Sequence, residues 1–230
     1  MLRPPRVQPS TDTRFPTEQH RISFSQHSYS VIKCRYINRP CFTSYCPSVI
    51  EMIAHYQLDR LVYCSHAVNR DLCAQFFNNL EKVDDLVYST WVGGKDIQFT
   101  PALLRTSLEL RQSACPFLCY PSRDLPFGDP YSHITLDTLY EYFFGGERPL
   151  GVSDFRSMSL RVQDYVMYRI LTACILPITS RDVPKMRPSH SFFLYALCHH
   201  LDIDIALHMF YNTIHAARLV TSRVVHMSYY

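Results

Sequence analysis

From residue 47 onward, apolar residues recur along most of the chain at the spacing of one helix face. The clearest case places them at i, i+1, i+4, i+5 and i+8, which indicates an amphipathic helix. Asn69 precedes this stripe and is a good N-cap. Similar stripes in later segments predict about seven helices, which must bury their apolar faces against one another. The residues of the clearest stripe are Leu72, Cys73, Phe76, Phe77 and Leu80.

One segment departs from helical spacing and predicts a β-hairpin. Residues 86–92 and Lys95–Phe99 are rich in β-forming residues and flank Gly93-Gly94. A Gly-Gly pair suits a tight hairpin turn, which requires positive φ. Thr100-Pro101 follows directly and predicts a helix with Thr as N-cap and Pro in the first turn, carrying a buried stripe. That stripe consists of Leu103, Leu104 and Leu108.

Prolines and capping residues divide the rest of the domain. Thr135 is expected to cap a helix that Gly145-Gly146 terminates, and a long helix is expected from Ser159 to Leu176, before Pro177. Asp202 or Asp204 is expected to cap the last helix. The sequence therefore predicts a mainly α, multi-helix, bundle-like domain over residues 47–220, with one small β-hairpin. Residues 221–230 form a tail.

Residues 1–46 form a basic, proline-containing leader without a sustained period, so we expect it to be largely irregular. Residues 1–47 contain seven Lys or Arg and two Asp or Glu, a formal net charge of +5. Because the whole chain has a formal net charge of +3, the remaining residues have a net charge of −2. Single-strand binders combine cations with stacking rings, so a nucleic-acid site is expected in the leader if anywhere. The candidate residues are Lys33, Arg35, Tyr36 and Arg39.

The nine cysteines favour free thiols over a disulfide framework. Their number is odd, several fall within apolar helical patterns, and residues 1–7 lack the apolar region of a secretory signal. No apolar stretch approaches the roughly 20 residues that a membrane span needs. We therefore expect an intracellular protein, nuclear or cytoplasmic, without a membrane segment.

Motifs for metal binding and catalysis are weak. Only Cys115 and Cys119 could form half of a zinc site, and the adjacent His199 and His200 would point about 100° apart on a helix. No Gly-x-Ser-x-Gly or His-Glu-x-x-His motif occurs, and Gly93-Gly94-Lys95 lacks the spacing of a phosphate loop. We expect no catalytic residue, metal or cofactor, and we expect Trp91 to pack in the core.

The order of the elements resembles a known family. The helix "RDLCAQFFNNL" is followed by the hairpin and helix "YSTWVGGKDIQFTPALLRTSLEL", a proline-rich loop and a helix that ends at a proline. Over about residues 47–220 this order is similar to the plant transposon protein domain family, which is associated with plant retroelements. The aminotransferase-like plant mobile domain has a related hairpin-before-helix pattern. The positions that match the first family are Phe76, Phe77, Asn79, Gly94, Ile97, Phe99, Pro101 and Pro177.

The resemblance implies an origin in a plant mobile element, which favours the nucleus slightly, and it brings no enzymatic activity or site residue with it. The leading hypothesis is a non-enzymatic helical interaction module that binds protein partners or self-associates, for example in a gag-like role. The alternative is a nucleic-acid-binding accessory protein that uses the basic leader. A third and weaker hypothesis is a metal-dependent nuclease or transposase, for which no carboxylate triad stands out.

Overall fold

A computed structural model describes residues 10–26, 29–31, 45–63, 69–113, 131–149, 155–175, 185–219 and 225–227. This part of the chain is mainly α-helical, as the sequence predicts, and contains nine α-helices. The helices are α1 (Glu18–Gln26), α2 (Pro47–His55), α3 (Asp59–Tyr63), α4 (Arg70–Asn78), α5 (Pro101–Leu108), α6 (Leu136–Phe144), α7 (Val162–Ile170), α8 (Pro188–Cys198) and α9 (Ile205–Leu219). The strands are β1 (Tyr29–Val31), β2 (Glu81–Asp84), β3 (Val87–Val92), β4 (Lys95–Phe99), β5 (Phe155–Arg156), β6 (Lys185–Met186) and β7 (Val225–Met227).

Side-chain caps start several helices where the sequence predicts them. The Asn69 carboxamide oxygen accepts from the backbone N–H groups of Asp71 and Leu72, at 3.0 and 3.2 Å. Thr100 accepts from the N–H of Leu103 at 3.0 Å, with Pro101 in the first turn of α5. Thr135 forms a reciprocal capping box at the start of α6. Each cap satisfies N–H groups that have no partner within the helix.

The predicted hairpin is present but belongs to a larger sheet. β3 and β4 pair in antiparallel fashion around Gly93 and Gly94, whose φ angles are +58° and +80°. β2 adds a third antiparallel strand next to β3, so the prediction of a lone two-stranded hairpin is corrected to a three-stranded sheet. The strand escaped prediction because Glu81–Asp84 is highly charged and wholly exposed, as suits an edge strand.

Two further strand pairs connect distant segments. β1 in the leader pairs in parallel with β7 near the end of the chain, in the register of Tyr29 with Val225. β5 and β6 form a short antiparallel pair between α6 and α8. Neither pair was predicted, because two or three residues are too few to show a period of two.

The core lies among α2, α6, α7, α8 and α9. Helix α7 packs against α2 and α8, α8 packs against α6, and α9 packs against α5. The side chains of Ile53, Leu139 and Met167 are fully or almost fully buried there. α8 contributes an apolar run that is buried nearly all round, as expected for a central helix.

Two predicted stripes are only partly buried. In α4 the side chain of Leu72 is 41% exposed, whereas Gln75 is 2% exposed. Gln75 is buried because its side-chain oxygen accepts from the N–H of Gly93 at 2.9 Å, which fixes the hairpin turn to α4. In α5 the side chains of Leu104 and Leu108 are buried as predicted, but Leu103 is exposed.

The start of one predicted helix differs from the structure, and the structure decides between two predicted caps for the last helix. The helix expected from Ser159 begins at Val162, after a 3-10 turn at Ser157–Ser159, and continues into a π-helical turn at Leu171–Ile175. In that turn Thr172 donates its hydroxyl to the carbonyl of Tyr168 at 2.9 Å. Of the two aspartates considered for the last cap, Asp204 accepts from the N–H of Leu207 at 2.9 Å. Pro177 lies outside the described residues.

Part of the predicted irregular leader is ordered against the domain. Helix α1 packs on α4, and the Phe15 side chain is 4% exposed. Three side chains of the domain donate to backbone carbonyls of the leader: Trp91 Nε1 to Thr13 at 2.8 Å, Asn79 Nδ2 to Arg14 at 3.3 Å and Asn78 Nδ2 to His20 at 2.8 Å. Trp91, expected in the core, is half-buried and holds the leader instead.

None of the described helices is long and apolar enough to cross a membrane.

Candidate functional site

The predicted nucleic-acid residues Lys33, Arg35, Tyr36 and Arg39 lie outside the described residues, so that site stays a prediction. The described part of the leader contains two other cations, Arg14 and Arg21. Arg14 pairs with Asp12 at 2.6 Å, and Arg21 pairs with Glu18. The hydrogen bonds from Arg14 hold the pKa of the Asp12 carboxyl below its usual range. Both of these leader cations are therefore already neutralised by acidic neighbours.

The candidate metal ligands do not assemble in the part of the chain that the structure describes. His199 packs against the ring of Tyr195, with centroids 4.1 Å apart, whereas His200 packs against His55 at 4.5 Å. The two adjacent histidines thus face different neighbours, as predicted. No group of three or more His, Cys, Asp or Glu side chains within the described residues could hold a metal ion. Cys115 and Cys119 lie outside the described residues.

Four of the nine cysteines lie within the described residues, and none of these four forms a disulfide there. Cys46 and Cys174 are buried, and Cys73 and Cys198 are half-buried. Cys198 lines a cleft where the end of α8 meets α2 and α7.

A cleft of about 470 Å³ lies between α2, α6, α7 and the end of α8, and we call it the α2/α7 cleft. Its size falls within the range of small-ligand sites. One wall comes from the first turns of α2 and the other from the first turn of α7. The lining residues are Ser48, Val49, Glu51, Met52, Tyr142, Arg161, Val162, Gln163, Asp164, Cys198 and His200.

Local sequence explains how these side chains reach the cleft. Pro47 begins α2, so Ser48, Glu51 and Met52 follow at the i, i+3, i+4 spacing that places them on one face. His200 has a left-handed backbone, with φ of +53°, and closes the end of α8. This turn leaves Cys198 and His200 beside the cleft.

The centre of the cleft is an ion pair that is buried on one side only. Arg161 Nε donates to Asp164 Oδ2 at 2.7 Å, and the Asp164 side chain is 8% exposed against 60% for Arg161. The Arg161 guanidinium also lies over the Tyr142 ring, 4.8 Å from its centroid, in cation–π geometry. The other carboxylate oxygen, Asp164 Oδ1, receives the Cys198 thiol at 3.7 Å.

These surroundings keep the nucleophilic groups of the cleft protonated. Burial raises the pKa of the Cys198 thiol to about 12, and the Asp164 carboxylate adds to the effect. Burial likewise raises the pKa of Tyr142 to about 12, with the negative charge of its neighbours contributing. Since the thiolate is the reactive form of cysteine, Cys198 is a poor nucleophile near neutral pH.

A histidine cluster adjoins the cleft at the end of α2. Arg111 Nη1 lies within hydrogen-bond distance of His55 Nε2, and the His200 ring packs edge-on against the His55 ring, with centroids 4.5 Å apart. Burial lowers the pKa of His55, and the positive charge of Arg111 lowers it further. Tyr56, the next residue, directs its hydroxyl at the carbonyls of Ala196 and Leu201, at 2.9 and 2.7 Å. This contact fixes the end of α8 relative to α2.

A second, smaller cleft of about 320 Å³ lies between α9 and the β2–β3 turn. Its two charged side chains, Lys82 on β2 and Asp85 in the turn, pair with each other at 2.7 Å. Aromatic rings of α9 and β3 form its base, where Tyr88 and Phe210 pack with centroids 5.8 Å apart. This cleft presents less surface and no buried charge, so we consider the α2/α7 cleft the better candidate.

No family model matches this chain, and no curated protein or solved structure is similar to it. The resemblance to a plant mobile-element family therefore stays a prediction.

Proposed function

We propose that this chain is a non-enzymatic, bundle-like helical module that binds a protein partner or a second copy of itself, and that the α2/α7 cleft is its binding surface. An origin in a plant transposable element and a gag-like role are part of this proposal, and they are supported by the sequence resemblance alone. An intracellular location, nuclear or cytoplasmic, is proposed from the thiol content of the sequence.

The observation that carries the proposal is the internal pairing of the reactive groups in the cleft. The basic side chain of Arg161 is engaged by Asp164, and the Cys198 thiol is both protonated and directed at the same carboxylate. Catalysis by a nucleophile needs a neighbouring base or a lowered pKa to activate it. Burial raises the pKa of the Cys198 thiol, the Asp164 carboxylate adds to that effect, and the carboxylate is itself engaged by Arg161, so the thiol is not activated.

An exposed apolar side chain on the same cleft supports binding. Val162 lines the cleft and is 75% exposed. On the α2 wall, the side chains of Val49 and Met52 line the cleft and are buried. An exposed apolar residue beside a preformed concave surface is typical of a place where a partner side chain packs.

A display selection with peptides of about twelve residues tests the proposal, because peptides of this length span a groove between helices. We expect the unmodified chain to enrich peptides that V162E no longer binds. V83E is the matched control, since Val83 is also exposed, at 65%, but lies on β2. Sedimentation velocity over a concentration series, with the same two variants, tests self-association through the cleft. Absence of both cleft-dependent peptides and cleft-dependent self-association would contradict the proposal.

One observation favours the alternative of a nucleic-acid-binding accessory protein: residues 1–47 have a formal net charge of +5. Deletion of the whole leader would also remove α1 and Phe15, which pack on the domain. Replacing Lys33, Arg35 and Arg39 with Gln is therefore the cleaner test. If the alternative is correct, binding to single-stranded DNA or RNA weakens steeply with salt, and the triple variant has a shallower slope.

A further inference from the structure

The charges around the α2/α7 cleft do not balance. Arg161 and Asp164 neutralise each other, but the Glu51 carboxylate on α2 is exposed and forms no ion pair with any described residue. The C-terminal end of α8, at Cys198 and His200, borders the same space and contributes partial negative charge. The positive N-terminal ends of α2 and α7 border the cleft as well, so the helix ends add no net negative charge. The negative charge of the cleft therefore comes from the Glu51 carboxylate.

One oxygen at the centre of the cleft remains open to a strong donor. Asp164 Oδ2 has the guanidinium of Arg161, whereas Oδ1 has only the Cys198 thiol at 3.7 Å. A thiol is a weak donor, and a buried carboxylate gains most from charged donors. The residue is only 6% exposed, but it lines the cleft, so a donor that enters the cleft approaches its carboxylate from that side.

The remaining surfaces suit the stem and head of a long basic side chain. The exposed Val162, with Met52 on the opposite wall, provides apolar contact for methylene groups. The Tyr142 ring already accommodates one cation, Arg161, at 4.8 Å from its centroid. A second cation between Asp164 and Glu51 would thus meet two carboxylates and an apolar wall.

We propose that the α2/α7 cleft binds a lysine or arginine side chain of a partner polypeptide, with an adjacent apolar residue of that partner packed on Val162. This inference rests on the proposed function, since it names the chemistry of the partner that the module binds. The bound cation lies between the carboxylates of Asp164 and Glu51. A partner that offers a carboxylate or phosphate is disfavoured, because it would meet the same two negative groups with Arg161 already engaged.

Fluorescence anisotropy with three labelled peptides tests the inference. In the first peptide Leu alternates with Lys, in the second with Gln and in the third with Glu, and the three peptides are otherwise identical. We expect the Leu/Lys peptide to bind most tightly. E51Q should weaken it about fivefold, the effect of one partly exposed charge pair. E141Q is the matched control, because Glu141 is also exposed on a helix but does not line the cleft. D164N tests the second carboxylate, with circular dichroism as a check on folding.

The outcomes separate this inference from the proposed function. Equal weakening by E51Q and E141Q would mean non-specific attraction to an acidic surface and would overturn the inference, as would equal affinity for the three peptides. If peptides bind in a manner that V162E abolishes but none prefers Lys over Gln, the module binds partners without a cation site. If no peptide or second copy depends on Val162, both proposals fail.

Discussion

The leader packs on α4 and β3 through a set of hydrogen bonds that we call the leader contact. Both the leader contact and the α2/α7 cleft bring together polar groups from distant segments, but those groups are bonded differently. In the leader contact, side chains of α4 and β3 donate to backbone carbonyls of Thr13, Arg14 and His20, and Phe15 is buried beside them. In the cleft, side chains pair with each other and leave a concave surface beside an exposed Val162. The first arrangement closes a surface, whereas the second leaves a concave surface open.

This difference predicts a large gap in stability between two truncations. F15A removes a buried ring and should lower the free energy of unfolding by about 3 kcal/mol, the usual cost of a large-to-small change in a packed site. V162A, on the open surface, should change it by less than about 0.5 kcal/mol. Urea unfolding followed by circular dichroism measures both.

Intrinsic fluorescence adds a local probe to the same experiment. Trp91 is the only tryptophan of the chain, and its indole N–H is bonded to the leader carbonyl of Thr13. Release of the leader by F15A should therefore change the emission before the domain unfolds. Equal unfolding midpoints for F15A, V162A and the unmodified chain would show that the leader is not a structural part of the domain.

Thiol labelling tests whether Cys198 in the cleft is unreactive, which is the second-largest effect that we expect. With the pKa of Cys198 at about 12, the thiolate fraction at pH 8 is about one in ten thousand. Alkylation of Cys198, followed by peptide mass spectrometry, should be at least about a hundredfold slower in the folded chain than in urea.

D164N sharpens the labelling experiment. Burial, the larger cause of the raised thiol pKa, remains in this variant, but removal of the Asp164 charge should lower the pKa in part and speed the alkylation of folded Cys198. E141Q is the control, because it removes an exposed carboxylate of α6 that does not line the cleft. Rapid labelling of Cys198 in the folded, unmodified chain would contradict the inference that Cys198 is a poor nucleophile.

The smallest expected effect is a pH dependence from His55. Its pKa is lowered in the folded state by burial and by Arg111, so the unfolded chain binds more protons as the pH falls through the ordinary value of 6.5. The contribution to stability is thus fully present above pH 6.5 and is lost as the pH falls toward the folded pKa. H55Q should flatten the decline of the melting temperature over this range.

H133Q is the control for H55Q, because His133 is exposed on the turn before α6. An identical decline of the melting temperature in H55Q and in the unmodified chain would show that His55 does not contribute to it.

Local signals in the sequence account for most of the correct fold predictions. Asn69, Thr100 and Thr135 start helices through contacts that span three residues or fewer, and Gly93-Gly94 sets a turn by its own backbone freedom. Signals of this kind are visible in sequence because the partners are close together in the chain. β2 lacks such a signal, since its charged residues form an exposed edge.

The candidate site could be anticipated only in part. The Arg161–Asp164 pair has the i, i+3 spacing of a helical ion pair and was readable in principle. Asp164 and Cys198 are 34 residues apart, and Tyr56 and Leu201 are 145 apart, so no local pattern brings them together. The packing of the leader on the domain could not be predicted from the sequence either. Its hydrogen bonds are accepted by backbone carbonyls, which every residue type has.

The most direct test of the central claim, that the α2/α7 cleft is the binding surface of a non-enzymatic module, is to locate a bound peptide by NMR. Amide chemical shifts of the labelled chain would be recorded as a display-selected peptide is added. We expect the largest changes at residues 48–52, 162–164 and 198–200, which line the cleft. Changes concentrated at the β2–β3 turn and α9, or at the leader contact, with the cleft residues unmoved, would contradict the account.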